Sequence, residues 1–319
     1  SDMNSSFGWY FGQICVDPSN ENRVYAMGVA LCRTENGGDS WQIIADYGNM
    51  DEIHVDHHAM IIDEYTGRIV EGNDGGLYTS DDYGDNWDKI DNIPLTQFYA
   101  IEMDYLNPER IYGGTQDNST IRTLTGALDD WNVILGGDGF HCKVDHVNPN
   151  IIFAESQWGN LHRSTNGGNW FEYIAGQMSN DRKNWSSPLE MHPVDPTTLY
   201  FGTYRVWKTT NSGDYWEAVS NDITDGDTGT SYHTATTIGI NPNYPNVVIA
   251  GTDDGNVHVS TDDGDNWTDV TEGLPNRWIT RVAGDPFDMN TIYLTVSGFR
   301  WDEAYPHVFK STNLGQDWI

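Results

Sequence analysis

The chain is 319 residues long, 37% hydrophobic and 13% aromatic, with 13 Trp and 17 Tyr, so it can bury a sizeable core and is not a disordered chain, which would be poor in aromatics. Sixteen Lys and Arg stand against 48 Asp and Glu, a net charge of −32, which excludes the basic track that nucleic acid or an anionic membrane surface requires. No apolar run approaches the roughly 20 residues of a membrane-spanning helix, so no membrane insertion is expected.

In chain order, short alternating strands come in groups, each closed by the same box. The first strands, around Cys15 and Cys32, lead to Thr34-Glu-Asn-Gly-Gly-Asp-Ser-Trp41. Next come His54-Val-Asp-His-His-Ala-Met60, the turn Gly72-Asn-Asp-Gly-Gly76 and Ser80-Asp-Asp-Tyr-Gly-Asp-Asn-Trp87. Phe98–Asp104, the Asn107-Pro108 turn and Arg110–Gly114 precede a weak copy at Thr123–Trp131 that keeps the Trp and little else. A sixth copy, Ser164-Thr-Asn-Gly-Gly-Asn-Trp170, reads as one residue short. Full copies return at Thr209–Trp216, Ser260–Trp267 and Ser311–Trp318. The common form is [ST]-x-[DN]-x-G-x-x-W, at spacings of about 41 to 51 residues, a propeller-blade period.

The box chemistry is that of a tight turn. Ser/Thr and Asp/Asn oxygens take backbone N–H groups, Gly supplies a left-handed backbone, and the Trp packs back on the turn. Four short strands per unit and almost no helical period make an all-β fold. The three cysteines lie in apolar runs and are expected as free thiols. Ser1-Asp-Met reads as a cloning scar, with no signal peptide.

These boxes resemble the Asp-box, or bacterial neuraminidase repeat. The resemblance covers essentially the whole chain and implies one β-propeller over 1–319. Its blades would be about 1–45, 46–92, 93–134, 135–178, 179–222, 223–272 and 273–319, with each box between the third and fourth strands. It also implies that Asp82 and Asp262 are structural. A stretch of about residues 50 to 170, carrying the motifs from His54 to Gly139, further resembles secreted bacterial glycosyl-hydrolase or sortilin-like multi-propeller proteins. That likeness implies an extracellular or cell-surface location and, in a longer native chain, a second propeller or a sorting domain. Asp138, in Gly-Gly-Asp-Gly-Phe-His, resembles more loosely the acid-bearing segment of xyloglucanases. A sialidase is disfavoured, because its Arg-Ile-Pro motif is absent.

Propeller sites gather where loops enter each innermost strand and where strands two and three join. Those loops supply Asp51, His54, Asp56, His57, Tyr99, Asp138, His141, Trp185, Trp278 and Arg281, then Asp74, Gln116, Asp117, Gln157, Trp158, Tyr204, Arg205, Arg300 and Trp301. Aromatic faces with amides and carboxylates suit a polysaccharide or oligosaccharide. Glycoside hydrolysis needs two carboxyl groups, and Asp56 with Asp138 is the pair expected if the chain is an enzyme. His54, Asp56, His57 and His58 read as a hydrogen-bonded cluster shaping the channel mouth rather than a metal site. No cofactor is expected, although the hard oxygens of Asp222-Ile-Thr-Asp225-Gly-Asp227 could hold structural calcium. The leading expectation is a secreted glycan-active, glycoside-hydrolase-like module. The alternative is a non-catalytic sortilin-like propeller that binds protein or peptide, or serves as a structural cell-surface module.

Overall fold

The computed structural model describes residues 10–50, 52–93, 95–227, 229, 232–299 and 307–319. Asp51, Arg300 and Trp301 lie outside the described residues. The chain packs as two compact units, Ser1–Gln97 and Phe98–Ile319. The first unit holds two four-stranded sheets, and the second holds four more and one of three strands. All are antiparallel meanders paired in sequence order. Among the described residues, helix is limited to single turns at Tyr47–Asn49 and Gly176–Met178. The seven antiparallel sheets are the all-β repeating units that the repeat period predicts. Sheets one to seven open with the strands Gln13–Val16, His57–Ile62, Phe98–Met103, Gly139–Val144, Leu189–Met191, Ala235–Ile240 and Ile279–Gly284. The seventh departs from the four-strand expectation: beyond its third strand only Lys310 and Ile319 exchange backbone hydrogen bonds, at 2.9 Å each way.

Within each unit the first strands of successive sheets lie side by side. Five apolar clusters each fill the space between two consecutive sheets, such as Phe153, Leu161, Leu189, Phe201 and Trp216 between the fourth and fifth. A second strand is therefore covered on both faces. Val248–Thr252 is buried at every position, and its sequence is a continuous small-apolar run rather than an alternating one. Close approach also sets composition here. A Cβ on Gly114 would lie 2.2 Å from the Phe140 carbonyl oxygen, so only glycine lets the fourth sheet cross the third.

The boxes sit between third and fourth strands. In six copies the leading Ser/Thr oxygen accepts the N–H of the box Gly at 2.8–3.0 Å. The Asp/Asn two residues on accepts the N–H four residues beyond it at 2.8–3.0 Å. The residue before the Gly is also left-handed, even when it is Tyr83, Ser212, Asp263 or Leu314. The sixth copy is not short. Ser164, Asn166 and Gly168 occupy their usual places, Phe171 stands where the Trp belongs and packs on the core, and Trp170 is 62% exposed. In the weak copy, Asp130 reaches back to Thr123 and to the N–H of Thr125, replacing the missing Asp/Asn.

The left-handed residue turns its carbonyl toward the preceding sheet, where a third-strand cation takes it. Arg33 donates to Tyr83 O at 2.6 Å, Arg163 to Ser212 O at 2.7 Å, Lys208 to Asp263 O at 2.7 Å, and Arg122 to Gly167 O. Much of the scarce positive charge thus ties one sheet to the next. The three cysteines are free, as expected.

Candidate functional site

Antiparallel order puts the loops entering the first strands and the loops between second and third strands at one end of each sheet, opposite the boxes. Backbone strain marks the same end. Apart from the box residues, the non-glycine residues with positive φ are Asp56, Asp117, Ser119, Trp158 and His233 among those described, all in these loops. Left-handed non-glycine backbone costs on the order of 1–3 kcal/mol each and tends to gather at functional sites. The first strands also bulge there, at His57/Ala59, Gly139/Cys142, Ala235/Thr237 and Ile279/Arg281, which re-aims their entry side chains.

In the first unit, a histidine–carboxylate cluster forms at this end. His57 Nδ1 lies 2.7 Å from Glu71 Oε1 with both side chains fully buried, and Asn73 Nδ2 donates to Glu71 Oε2 at 2.9 Å. His58 Nε2 lies 2.7 Å from Asp74 Oδ1. Burial, then the Asp74 charge, raises the Asp56 carboxyl above its ordinary range, against the pull of His54, His57 and His58. Alternation along a strand would put His54 and Asp56 on one face. Instead the strand begins at His57, and Asp56 has a φ of 65°, so that relation does not hold. His54 sits in the loop, its Nδ1 2.9 Å from Val55 O.

In the second unit an aromatic run crosses three sheets. Tyr99 stacks on Phe140 at 4.8 Å between ring centroids, Phe140 meets Trp185 edge-on at 5.6 Å, and Trp185 meets Trp158 edge-on at 5.1 Å. Tyr99, Trp158 and Trp185 are 39%, 47% and 38% exposed while Phe140 is buried at 1%, so three residues of the run offer surface and Phe140 joins them from beneath. Polar groups border it: Gln157 Nε2 donates to Asp138 Oδ1 at 2.9 Å, and Asn118 Nδ2 to Gln116 O at 2.9 Å. Asp138 is 8% exposed. Asp117 lies in the same loop as Gln116 and Asn118, with a φ of 57°. Trp278 is half-buried at the entry to the seventh sheet, where its carbonyl accepts from Ser297 N at 2.8 Å.

Glu155 anchors this run from beneath. At the same place in the second strand, the third, fifth and sixth sheets carry Gly114, Gly202 and Gly251, each crowded by the next sheet's entry. The fourth sheet has Glu155 instead, fully buried, with Oε1 accepting Ser187 N at 2.7 Å. Trp158 N donates to Trp185 O at 3.1 Å, so the loop bearing Trp185 is pinned at two points. Lower in the wall, Lys143 bridges Glu190 at 2.8 Å and Glu102 at 3.7 Å, joining three first strands. Burial, then the charges of Lys143 and Arg281, hold His141 down to about 3, so it is neutral at pH 7.

On the fifth sheet, Asp181 takes both Nε and Nη2 of Arg205 at 2.9 Å, Trp207 Nε1 at 2.8 Å and Thr203 Oγ1 at 2.8 Å. The guanidinium carbons of Arg182 and Arg205 stand 4.5 and 5.1 Å from the Tyr204 ring centre. Asp222 Oδ1 accepts from Thr224, Asp227 from Gly229 N and Asp225 Oδ1 from Asn256, so these loop carboxylates each hold a donor of the protein.

Of the residues named from sequence, the structure gathers Tyr99, Gln116, Asp117, Asp138, Trp158, Tyr204, Arg205, Trp278 and Arg281 at one end of the second unit's sheets. Asp56, His54 and Asp74 belong to the first unit. Sequence reasoning missed Phe140, Glu155, Asp181 and Arg182. Two signals were there to find: Glu155 breaks a glycine position of the repeat, and Arg182-Lys183 is the only adjacent pair of cationic residues in the chain.

No protein-family model matches the chain, and no curated protein matches it. Solved structures do match. The extracellular domain of a one-component system protein from B. thetaiotaomicron is 14% identical, with a TM-score of 0.50, over 94% of this chain and 38% of that one. YCF48 from Cyanidioschyzon merolae is 12% identical, with a TM-score of 0.48, over 96% and 83%. A GH74 enzyme from Niastella koreensis is 16% identical, with a TM-score of 0.35, over 96% and 56%. The chain thus spans about half the length of that GH74 enzyme. At these identities the likeness speaks to fold alone.

Proposed function

We propose that this chain is an Asp-box propeller module of an extracellular protein that binds polysaccharide or oligosaccharide on the aromatic run of the second unit. The observation that carries the reading is the exposed, pinned pair Trp158 and Trp185, joined through the buried Phe140 to the exposed Tyr99 and edged by Gln157 and Asp138. Sugar rings offer C–H faces to such surfaces and hydroxyls to amides and carboxylates. Rigid aromatic rings contribute contact area at little entropic cost, which supports binding over chance exposure. The extracellular neighbour and the acidic surface fit this location. Hydrolysis, with Asp138 as the candidate carboxyl of this unit, is the second reading that the same test decides.

The test is a polysaccharide panel scored for binding and for reducing-end release. Trp185→Ala should weaken binding up to about tenfold, the size expected for losing one aromatic contact of about 0.5–1.5 kcal/mol. Unchanged binding in that variant would remove the aromatic run from the reading. Release from the parent that disappears in Asp138→Asn or Asp56→Asn would make the module a hydrolase, and binding without release would make it a lectin-like one.

A further inference from the structure

We propose that the surface formed by Arg182, Tyr204 and Arg205 is a subsite for a single negatively charged substituent on the glycan, a uronate carboxylate or a sulfate ester. This deepens the glycan reading above and rests on it. The repeat itself supplies the first argument. Three residues beyond the second-strand glycine, the loop between second and third strands carries Asp117 and Asp254 in the third and sixth sheets, but Arg205 in the fifth. One repeat position has reversed its charge.

Location supplies the second. Arg33, Arg122, Arg163 and Lys208 serve the box end, donating to carbonyls of the next sheet. Arg182 and Arg205 lie at the opposite end of the fifth sheet, and Trp185, one ring of the aromatic run, follows Arg182 in the same loop. Their side chains remain 20% and 29% exposed.

Geometry supplies the third. Asp181 grips Arg205 along its Nε–Nη2 edge. Arg182 donates Nη2 to Asp222 at 3.1 Å and to Thr224 Oγ1 at 3.2 Å, and Nε to His233 O at 3.4 Å. Both guanidinium groups lie against Tyr204. Arg182 is fixed by one edge and the Tyr204 ring, and Arg205 by one edge and the rings of Tyr204 and Trp207, the latter at 4.7 Å, while the Nη1 amino group of each makes no hydrogen bond among the described residues. A guanidinium held this way loses little freedom on meeting a ligand; Arg205 keeps its Nη1–Nη2 fork for a carboxylate or sulfate, and Arg182 adds the two N–H groups of Nη1. Asp181 and Asp222 offset much of the local charge, and Asp253 with Asp254 bounds the patch on the next sheet. The site therefore suits one anionic group rather than a densely charged polymer. Screening confines the repulsion of the −32 chain to about 8 Å at physiological salt, so local geometry decides.

The experiment titrates the protein with glucose, glucuronate and glucose 6-sulfate, following arginine side-chain resonances, and then repeats the polysaccharide panel with neutral and singly charged oligosaccharides. Two variants accompany the parent: Arg182→Gln, and the paired Asp181→Asn with Arg205→Gln, which avoids leaving a buried carboxylate unpaired. Thermal unfolding checks that both fold. At least one charged sugar should bind tenfold or more tightly than glucose, with the advantage lost in both variants; whether carboxylate or sulfate responds names the source. Charged sugars that bind no better than glucose, or an advantage that survives both variants, would overturn the proposal. Glycan binding without charge preference would remove the anion subsite and keep the glycan reading. Charged monosaccharides that shift the arginine resonances while no glycan binds would do the reverse.

Discussion

Glu155 shows how one residue can depart from a repeat and gain a task. Burial pushes its carboxyl well above 4.5, against the N–H groups of Ser187, His141 and Gly159. The folded state therefore holds this proton to higher pH than the unfolded chain. Its contribution is complete below the unfolded value and is lost as pH rises through the folded one. Glu155→Gln should remove that slope, so the variant gains stability relative to the parent as pH rises above the ordinary carboxylate range. Urea midpoints across this range measure it, and parallel curves would show that the carboxyl is not neutral in the fold. Sequence could have flagged the position, because glycine stands there in neighbouring units. That the side chain reaches a backbone N–H of the next sheet is a matter of packing, which no local pattern encodes.

The box is the element whose sequence was most legible and also where spacing misled. A Trp at 170 suggested a shortened copy, yet the hydrogen bonds of Ser164 and Asn166 keep full length and hand the anchoring place to Phe171. Turn chemistry fixes the register, and the aromatic that happens to land inward does the packing. Phe171→Ala should then cost about 2–4 kcal/mol, as for other aromatic deletions at packed sites, and Trp170→Ala less than about 0.5 kcal/mol, as for an exposed position. Denaturant unfolding of the two variants separates the readings, and a larger loss at Trp170 would restore the shortened box. At the same scale, the cations of the third strands were invisible as connectors, since their partners are carbonyls about 45 to 55 residues away.

At the scale of the whole molecule, the net charge of −32 is a standing self-repulsion that salt relieves. Raising NaCl from about 20 to 200 mM should therefore raise the unfolding temperature by several degrees before the effect levels off. A fall over that range would mean that ion pairs such as Lys143 with Glu190 outweigh the repulsion. The same charge makes the few cations informative. Arg33, Arg122, Lys143, Arg163 and Lys208 close sheet onto sheet, while Arg182 and Arg205 stay partly exposed at the end opposite the boxes. By itself the sequence determined the all-β class, the number of repeating units, the place of each tight turn and the end of the sheets where loops would gather. These follow from local rules: strand alternation, the backbone freedom of glycine and the reach of short polar side chains. Only the tertiary structure decided that residues 99, 140, 158 and 185 form one run, that Asp181 organises Arg205, and that Glu155 pins the loop of Trp185. Those relations join segments tens of residues apart, and they arise when sheets pack face to face and bring side chains together across them.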